Sequence, residues 1–524
     1  MAGTRNGFAR HAGRSHDAPM NVSRARMAGV LLVVLCTSAQ LSGCGDDGLC
    51  DPAAVTTALE GAVAGQIVTL GACTIAGPLR VPAGVRLVGQ GTATVITAPG
   101  DDAAVVLTPG ATAAAIADLQ IDATGAVGVI AKGAGNVLLE RLTVRGVRGV
   151  GIGIEDATAR LVDITLRGPI VDPMDAKWIR VLPRPAAAGT CPAGETCDCV
   201  PGAVDGTRSC NASGRWAEVT ATTGIVLVRA VAEFTNVEVS SFAGFGVVSE
   251  SSALAWNTGR VHDVLGVGMH VTGGSAELVD VTISATQEGL RGIPSYGLLV
   301  RADAELDTMR LGLLDNTRFG AVHLGARATH TDLRAEHNAD TAVWVGDSTL
   351  FTLAGTATRL SDNGFAAIVV RDSSGVELSD AQIDTTRESN RNFGTLFGSV
   401  RIGDGVHLIG SVDGVALRNL VITDNERAGI VVALSAGGLG PTFARVRVQN
   451  VAGSGLGAVA GMLDGSGARL TTVAPGSWDV GIERLGGTAA TDAAFSGMLQ
   501  AVPQATPAGL PNIGDEVSVI APMF

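Results

Sequence analysis

The sequence predicts an all-β fold, a solenoid of stacked short-strand coils with one short capping helix near its start. Three observations predict it. First, a small residue followed by a short apolar strand recurs from Gly224-Ile-Val-Leu through Gly246-Val-Val-Ser, Gly268-Met-His-Val, Gly297-Leu-Leu-Val and Gly320-Ala-Val-His to Ala342-Val-Trp-Val, at steps of 22, 22, 29, 23 and 22 residues. Internal repeats of that period mark a solenoid. Second, each repeat carries another strand of alternating apolar and polar residues, as in Ala159-Arg-Leu-Val-Asp163-Ile-Thr-Leu and Ala276-Glu-Leu-Val-Asp280-Val-Thr-Ile, which is the strand period. Third, the chain holds 71 Gly and only 3% aromatic residues, a composition suited to tight coils and unfavourable for helices.

An Asp or Asn interrupts the second strand at the same place each time: Asp163, Asn236, Asn257, Asp280, Asp332, Asp380 and Asn419. These residue types tolerate the left-handed backbone that a sharp bend requires. One repeat is therefore a coil of two or three strands. Coils stack at about 4.8 Å, so equivalent residues form columns.

The first 43 residues read as a signal peptide rather than as part of the fold. Arg5, Arg10, Arg14, Arg24 and Arg26 precede the apolar run Met27–Leu35, and Leu41-Ser42-Gly43-Cys44 follows. A basic stretch, a short apolar stretch and a small-residue cleavage site make a secretory signal, and the run is too short to span a bilayer. The Leu-Ser-Gly-Cys tetrad resembles the bacterial lipobox, which implies cleavage before Cys44, its lipidation, and a tether over 44–52. The alternative is an ordinary signal peptide with a chance cysteine. Lipidation implies a membrane partner through Cys44 and a place at the bacterial outer membrane, periplasmic or surface-exposed.

Residues 53–100 read as the N-terminal cap and first coil. Val55 to Ala64 has amphipathic helix spacing, and the strands Gly65-Gln-Ile-Val-Thr-Leu, Leu79-Arg-Val and Thr94-Val-Ile follow around Gly89-Gln-Gly. The small-residue anchor recurs at Gly128, Gly151, Ala367, Gly405 and Gly429. With this opening, the chain resembles the right-handed parallel β-helix proteins of the pectate-lyase-like superfamily. The resemblance covers roughly residues 53–460 and implies a single-stranded right-handed β-helix over 101–460. It is nearly silent on activity, because that fold hosts many functions. Residues 461–524 read as a last coil and an irregular tail with Pro503, Pro507, Pro511 and Pro522.

Three anchor steps are too long. The extra residues lie at 168–222, 284–296 and 385–404, always after the second strand of a coil and before the next anchor. All three insertions are therefore expected at one corner of the solenoid, and insertions on one face often mark a binding face. The first holds Cys191, Cys197, Cys199 and Cys210. Two disulfides or a zinc site would order it; disulfides are favoured, because there is no Cys-x-x-Cys pair and no His in the segment. Cys50 and Cys73 are placed to pair across the cap, and export favours disulfides. Asp172-Pro-Met-Asp175 resembles the Asp-Pro-His-Asp motif of β-helix mannuronan epimerases. With Met in the His position and the motif inside an insertion, the likeness carries little.

Net charge is −13, which argues against nucleic-acid partners. No Gly-x-Ser-x-Gly elbow, phosphate-binding loop, His-Glu-x-x-His or repeated calcium nonapeptide occurs, so no cofactor or metal is expected. The anchored strand predicts that the residues one and three after the anchor point in and those two and four after it point out. The outward set Val226, Val248, His270, Leu299, Val322, Trp344, Val369 and His407 is unusually apolar, with Arg301 and Arg371 beside it. Either loops cover this strip, or it is a groove in which Trp344 stacks on a sugar while Arg301 and Arg371 pair with carboxylates or sulfates. The expectation is cover near Val226 and Val248 and an open groove from His270 to Arg371. Weak catalytic candidates are His270 and Arg301 in the strip and Asp315, Glu336, His337 and Asp362 at the insertion corner. Carboxylates one or two coils apart satisfy the glycosidase spacing almost automatically, and Asn316, Asn338 and Asn363 read as bend formers. The leading expectation is a non-catalytic binding or display module whose partner is an extracellular or periplasmic glycan. The alternative is a polysaccharide lyase or glycoside hydrolase.

Overall fold

The computed structural model describes residues 48–449, apart from breaks of one to three residues, most of 170–221, and 290–294, 390–402 and 435–440; it also describes 469–472. The candidate signal and lipidation residues, Cys44 among them, and almost all of the expected C-terminal tail lie outside the described residues.

The chain forms a right-handed parallel β-solenoid of about 12 turns. Among the described residues, thirty-three strands join in one continuous hydrogen-bonded array, every pair of which is parallel. Each full coil has three faces. In one coil they are Thr222–Val228, then Val231–Thr235, then Val237–Ser240, with left-handed residues at the corners, Arg229, Asn236 and Ser241. The main core is an aliphatic filling of Val, Leu and Ile from all three faces.

The anchors are small because the coils approach one another there. A Cβ on Gly224 would lie 2.5 Å from the Gly246 carbonyl oxygen, and one on Gly297 equally close to that of Gly320. The bends after the second face are left-handed at Asp163, Asn236, Asp280, Asp332, Asp380 and Asn419. In one coil the register differs from expectation: Thr258, not Asn257, takes the positive φ. Arg310 fills the same corner and donates to both oxygens of Asp280 at 2.6 Å. Neighbouring coils thus compensate a strained residue with a bidentate ion pair.

The capping helix spans Pro52–Glu60, three residues earlier than the apolar spacing predicted. Asp51 caps it through a 2.9 Å bond from the Ala54 amide, Pro52 takes the first turn, and Gly61 ends it. These end signals outweigh the apolar period in setting its bounds. Val55 and Leu59 close the core, and a Cys50–Cys73 disulfide ties the cap to the first coil. In the first insertion, Asp198–Val200 pairs antiparallel with Ser209–Asn211, which sets Cys199 opposite Cys210. The bonding of Cys191, Cys197, Cys199 and Cys210 lies outside the described residues, as does Asp172 to Asp175.

Candidate functional site

The insertions do leave from one corner. A single ladder runs along the end of the third face: Arg167, Ser240, His262, Ser284, Leu314, Glu336, Ser361 and Asp384 are register partners in turn. The inserted segments follow Arg167, Ser284 and Asp384 within it.

The first-face strip points outward as the register requires. Ile225, Val247, Met269 and Leu298 belong to the main core, whereas Val248, Leu299, Val322, Trp344 and Val369 form a separate cluster. Phe245, Tyr296 and Phe319, one residue before their anchors, thicken it. Among the described residues the expected open groove is absent. His270 and Trp344 are each 1% exposed, and the aliphatic members are equally covered. So wide an apolar surface is too costly to leave in water. Trp344 stands edge-on to Phe319 with ring centroids 6.2 Å apart, so it offers no sugar-stacking face here. His270 packs on Phe245, and neither of its ring nitrogens has a hydrogen-bond partner. Burial, with the charge of Arg301 adding to it, pushes its pKa down to about 4. Arg301 and Arg371 lie half-buried at the strip's edge.

The corner residues separate into two sets. Asn316, Asn338 and Asn363 turn inward and form a buried ladder: the Asn316 side chain donates to Asn338 Oδ1 at 2.8 Å, and Asn338 donates to Asn363 Oδ1 at 2.8 Å. The expectation that they form the bends is corrected: the left-handed bends fall on the residues before them, Asp315, His337 and Asp362, and the asparagines instead bond from coil to coil. Asp315, His337 and Asp362 point outward, each in the left-handed conformation. His337 lies between the two carboxylates, 3.4 Å from each. Glu336 sits beside them on the third face, bonded at 2.6 Å by Arg334, which holds its pKa below the usual carboxylate range.

Three to four coils before Glu336 on the same face lies a cluster that the sequence reading missed. His262 approaches Asp263 at 2.6 Å through Nδ1 and Glu238 at 3.1 Å through Nε2, and Arg260 donates to Glu238 at 2.7 Å. Both imidazole contacts are hydrogen bonds together only when both ring nitrogens carry protons. Burial alone would raise the Glu238 pKa, but the bonds from Arg260 and His262 outweigh it and hold the group low. These residues line a groove of about 530 Å³ with Asp280 on its far rim. Only the repeat register could have found the cluster, since Glu238 and His262 are 24 residues apart.

From Glu238 to Asp384 the two outward columns of the third face cross seven coils, about 30 Å at the strand spacing. Gln382 donates to Asp384 at 3.0 Å, Arg359 forms an ion pair with it at 3.3 Å, and Arg387 pairs with Asp362. The face is a track of carboxylates and guanidinium groups with a middle that carries neither, Thr282, Ser284, Gly312 and Leu314.

No family model matches the chain, and no curated protein matches it. Among solved structures, the A-module of mannuronan C-5 epimerase AlgE4 from Azotobacter vinelandii is similar, at 15% identity and a TM-score of 0.38, over 82% of this chain and 97% of that one. A periplasmic alginate epimerase, AlgG, matches at 11% identity and a TM-score of 0.29, over 75% and 82% of the two chains. The catalytic domain of a GH87 α-1,3-glucanase in complex with nigerose matches at 13% and 0.28, over 74% and 60%. At such identities the likeness is one of fold.

Proposed function

We propose that this protein is an exported, lipid-anchored β-helix of the cell envelope that binds a linear glycan along its third face. The observation that carries the reading is the seven-coil charged track at the corner from which all three insertions leave. Ionised carboxylates only accept hydrogen bonds and guanidinium groups only donate them, whereas sugar hydroxyls do both. A hydroxyl-rich polymer is therefore complementary to the whole track. Export is supported by the lipobox-like Leu41-Ser42-Gly43-Cys44 and by the Cys50–Cys73 disulfide, a bond that persists in oxidising compartments. Binding without turnover is supported by the state of the carboxylates. Glu238 and Glu336 are both held below the usual range, whereas a glycosidase acid needs a raised pKa.

Glycan-array binding of the purified full chain tests the reading, with loss of signal in Arg260→Ala and Glu336→Ala expected. Undiminished binding in both variants would move the site elsewhere. Metabolic labelling with an acyl probe tests the anchor: label on wild type and none on Cys44→Ser is expected, and an unlabelled wild type refutes lipidation. A second reading, a lyase or hydrolase in which neutral His262, its Nδ1–H held by Asp263, uses Nε2 as general base once that nitrogen no longer donates to Glu238, is favoured by the contact of His262 with Asp263. Release of reducing ends or unsaturated products from a glycan panel, abolished in His262→Ala, would establish it and overturn the non-catalytic reading.

A further inference from the structure

Resting on that glycan reading, we infer that the ligand of the third face is a polysaccharide without acidic groups, and that the face rejects polyuronates. The charge pairing of the track makes the case. A uronate chain is normally held by guanidinium groups that form forks with its carboxylates. On this face each of those groups is already matched to a carboxylate of the protein. Arg260 bonds Glu238 at 2.7 Å, Arg334 bonds Glu336 at 2.6 Å, Arg359 lies 3.3 Å from Asp384, and Arg387 pairs with Asp362. Arg310, on the rim, is engaged in both of its bonds to Asp280.

A ligand carboxylate would have to displace one of these partners. Glu336 and Asp384 are buried, so it would leave a buried charge without its cation, which costs more than an exposed pair returns. Among the described residues, two further carboxylates, Asp263 and Asp315, have only histidines as cationic partners. Their side chains are 55% and 65% exposed. They stand on the rim that an incoming chain must cross and leave the described groups of the face with an excess of negative charge. Repulsion of an anionic polymer follows, screened by salt over about 8–10 Å. A neutral polymer has no such penalty, because its hydroxyls donate to Glu238, Asp263 and Asp315 in charge-assisted bonds without displacing any arginine.

Titration calorimetry of the full chain decides it, with cello-, laminari- and malto-oligosaccharides against oligogalacturonate and oligomannuronate of equal length. At low salt at least one neutral series is expected to bind, and both uronates at least tenfold more weakly. The gap should narrow as salt is added. Asp263→Lys combined with Asp315→Lys should improve uronate affinity relative to neutral affinity. Uronate binding equal to or tighter than neutral binding would overturn the inference while leaving a glycan-binding protein. Binding to none of the five would remove the glycan reading itself, and this inference with it.

Discussion

Acidification should destabilise this protein well before its carboxylates protonate, and His270 isolates the effect. Its imidazole is buried in the outer apolar layer with both nitrogens unpartnered. Burial and the nearby Arg301 charge push its pKa down to about 4, against an unfolded value of about 6.5. A base with a depressed folded pKa binds fewer protons folded than unfolded between those two values. Its contribution is therefore complete above the unfolded pKa and is lost as pH falls from about 6.5 to about 4, at about 1.4 kcal/mol per pH unit and about 3 kcal/mol in total. The matching perturbation is His270→Leu, a side chain of similar bulk already present in this column at Leu299. No hydrogen bond is lost, so the variant should be as stable as wild type at pH 7.5 or more so. Urea denaturation followed by circular dichroism at pH 7.5, 6.5, 5.5 and 4.5 reads the difference. The stability gap in favour of the variant should widen by about 2.5 kcal/mol across that range. Parallel pH dependences in the two proteins would show that His270 is hydrated or partnered, and the argument from its burial would fail.

Three further outcomes follow from the fold. Asn338→Leu removes the acceptor of both the backbone and side-chain amides of Asn316, so a loss on the order of 3 kcal/mol is expected from two stranded donors; urea midpoints and faster hydrogen exchange at Asn316 check it. Gly224→Val would drive a Cβ to 2.5 Å from the Gly246 carbonyl, and a loss of about 1–3 kcal/mol is expected from the strain, read as a lowered melting temperature. The buried pair His323 and His330, whose Nε2 atoms lie 3.1 Å apart in the main core, is held neutral by burial, His330 down to about 3. His330→Phe should flatten acid sensitivity from about pH 6.5 down to about 3, and an unchanged pH profile would contradict it.

Much of this molecule was legible in its sequence because solenoid geometry is local. The step of 22 residues, the alternation after each small anchor and the bends at Asp163, Asp280 and Asp380 follow from backbone sterics and the two-residue strand period. The same register placed the three insertions on one ladder without any knowledge of side-chain packing. The helix bounds slipped where capping by Asp51 and Pro52 outweighed the apolar spacing, and one bend slipped from Asn257 to Thr258 where a neighbouring coil imposed the corner.

What only the tertiary structure decided is which outward surfaces meet water and which groups meet one another. The strip around Trp344 has the composition of either a groove or a packing layer, and burial is a property of whatever lies above it, which no column of residues encodes. The track of Glu238, Arg260, His262 and Asp263 shows the complementary case. Its members are ordinary surface residues along the chain. They become a site only because stacking brings residues 22 to 24 apart within 3.1 Å of one another, where the bonds from Arg260 and His262 hold the Glu238 carboxyl low.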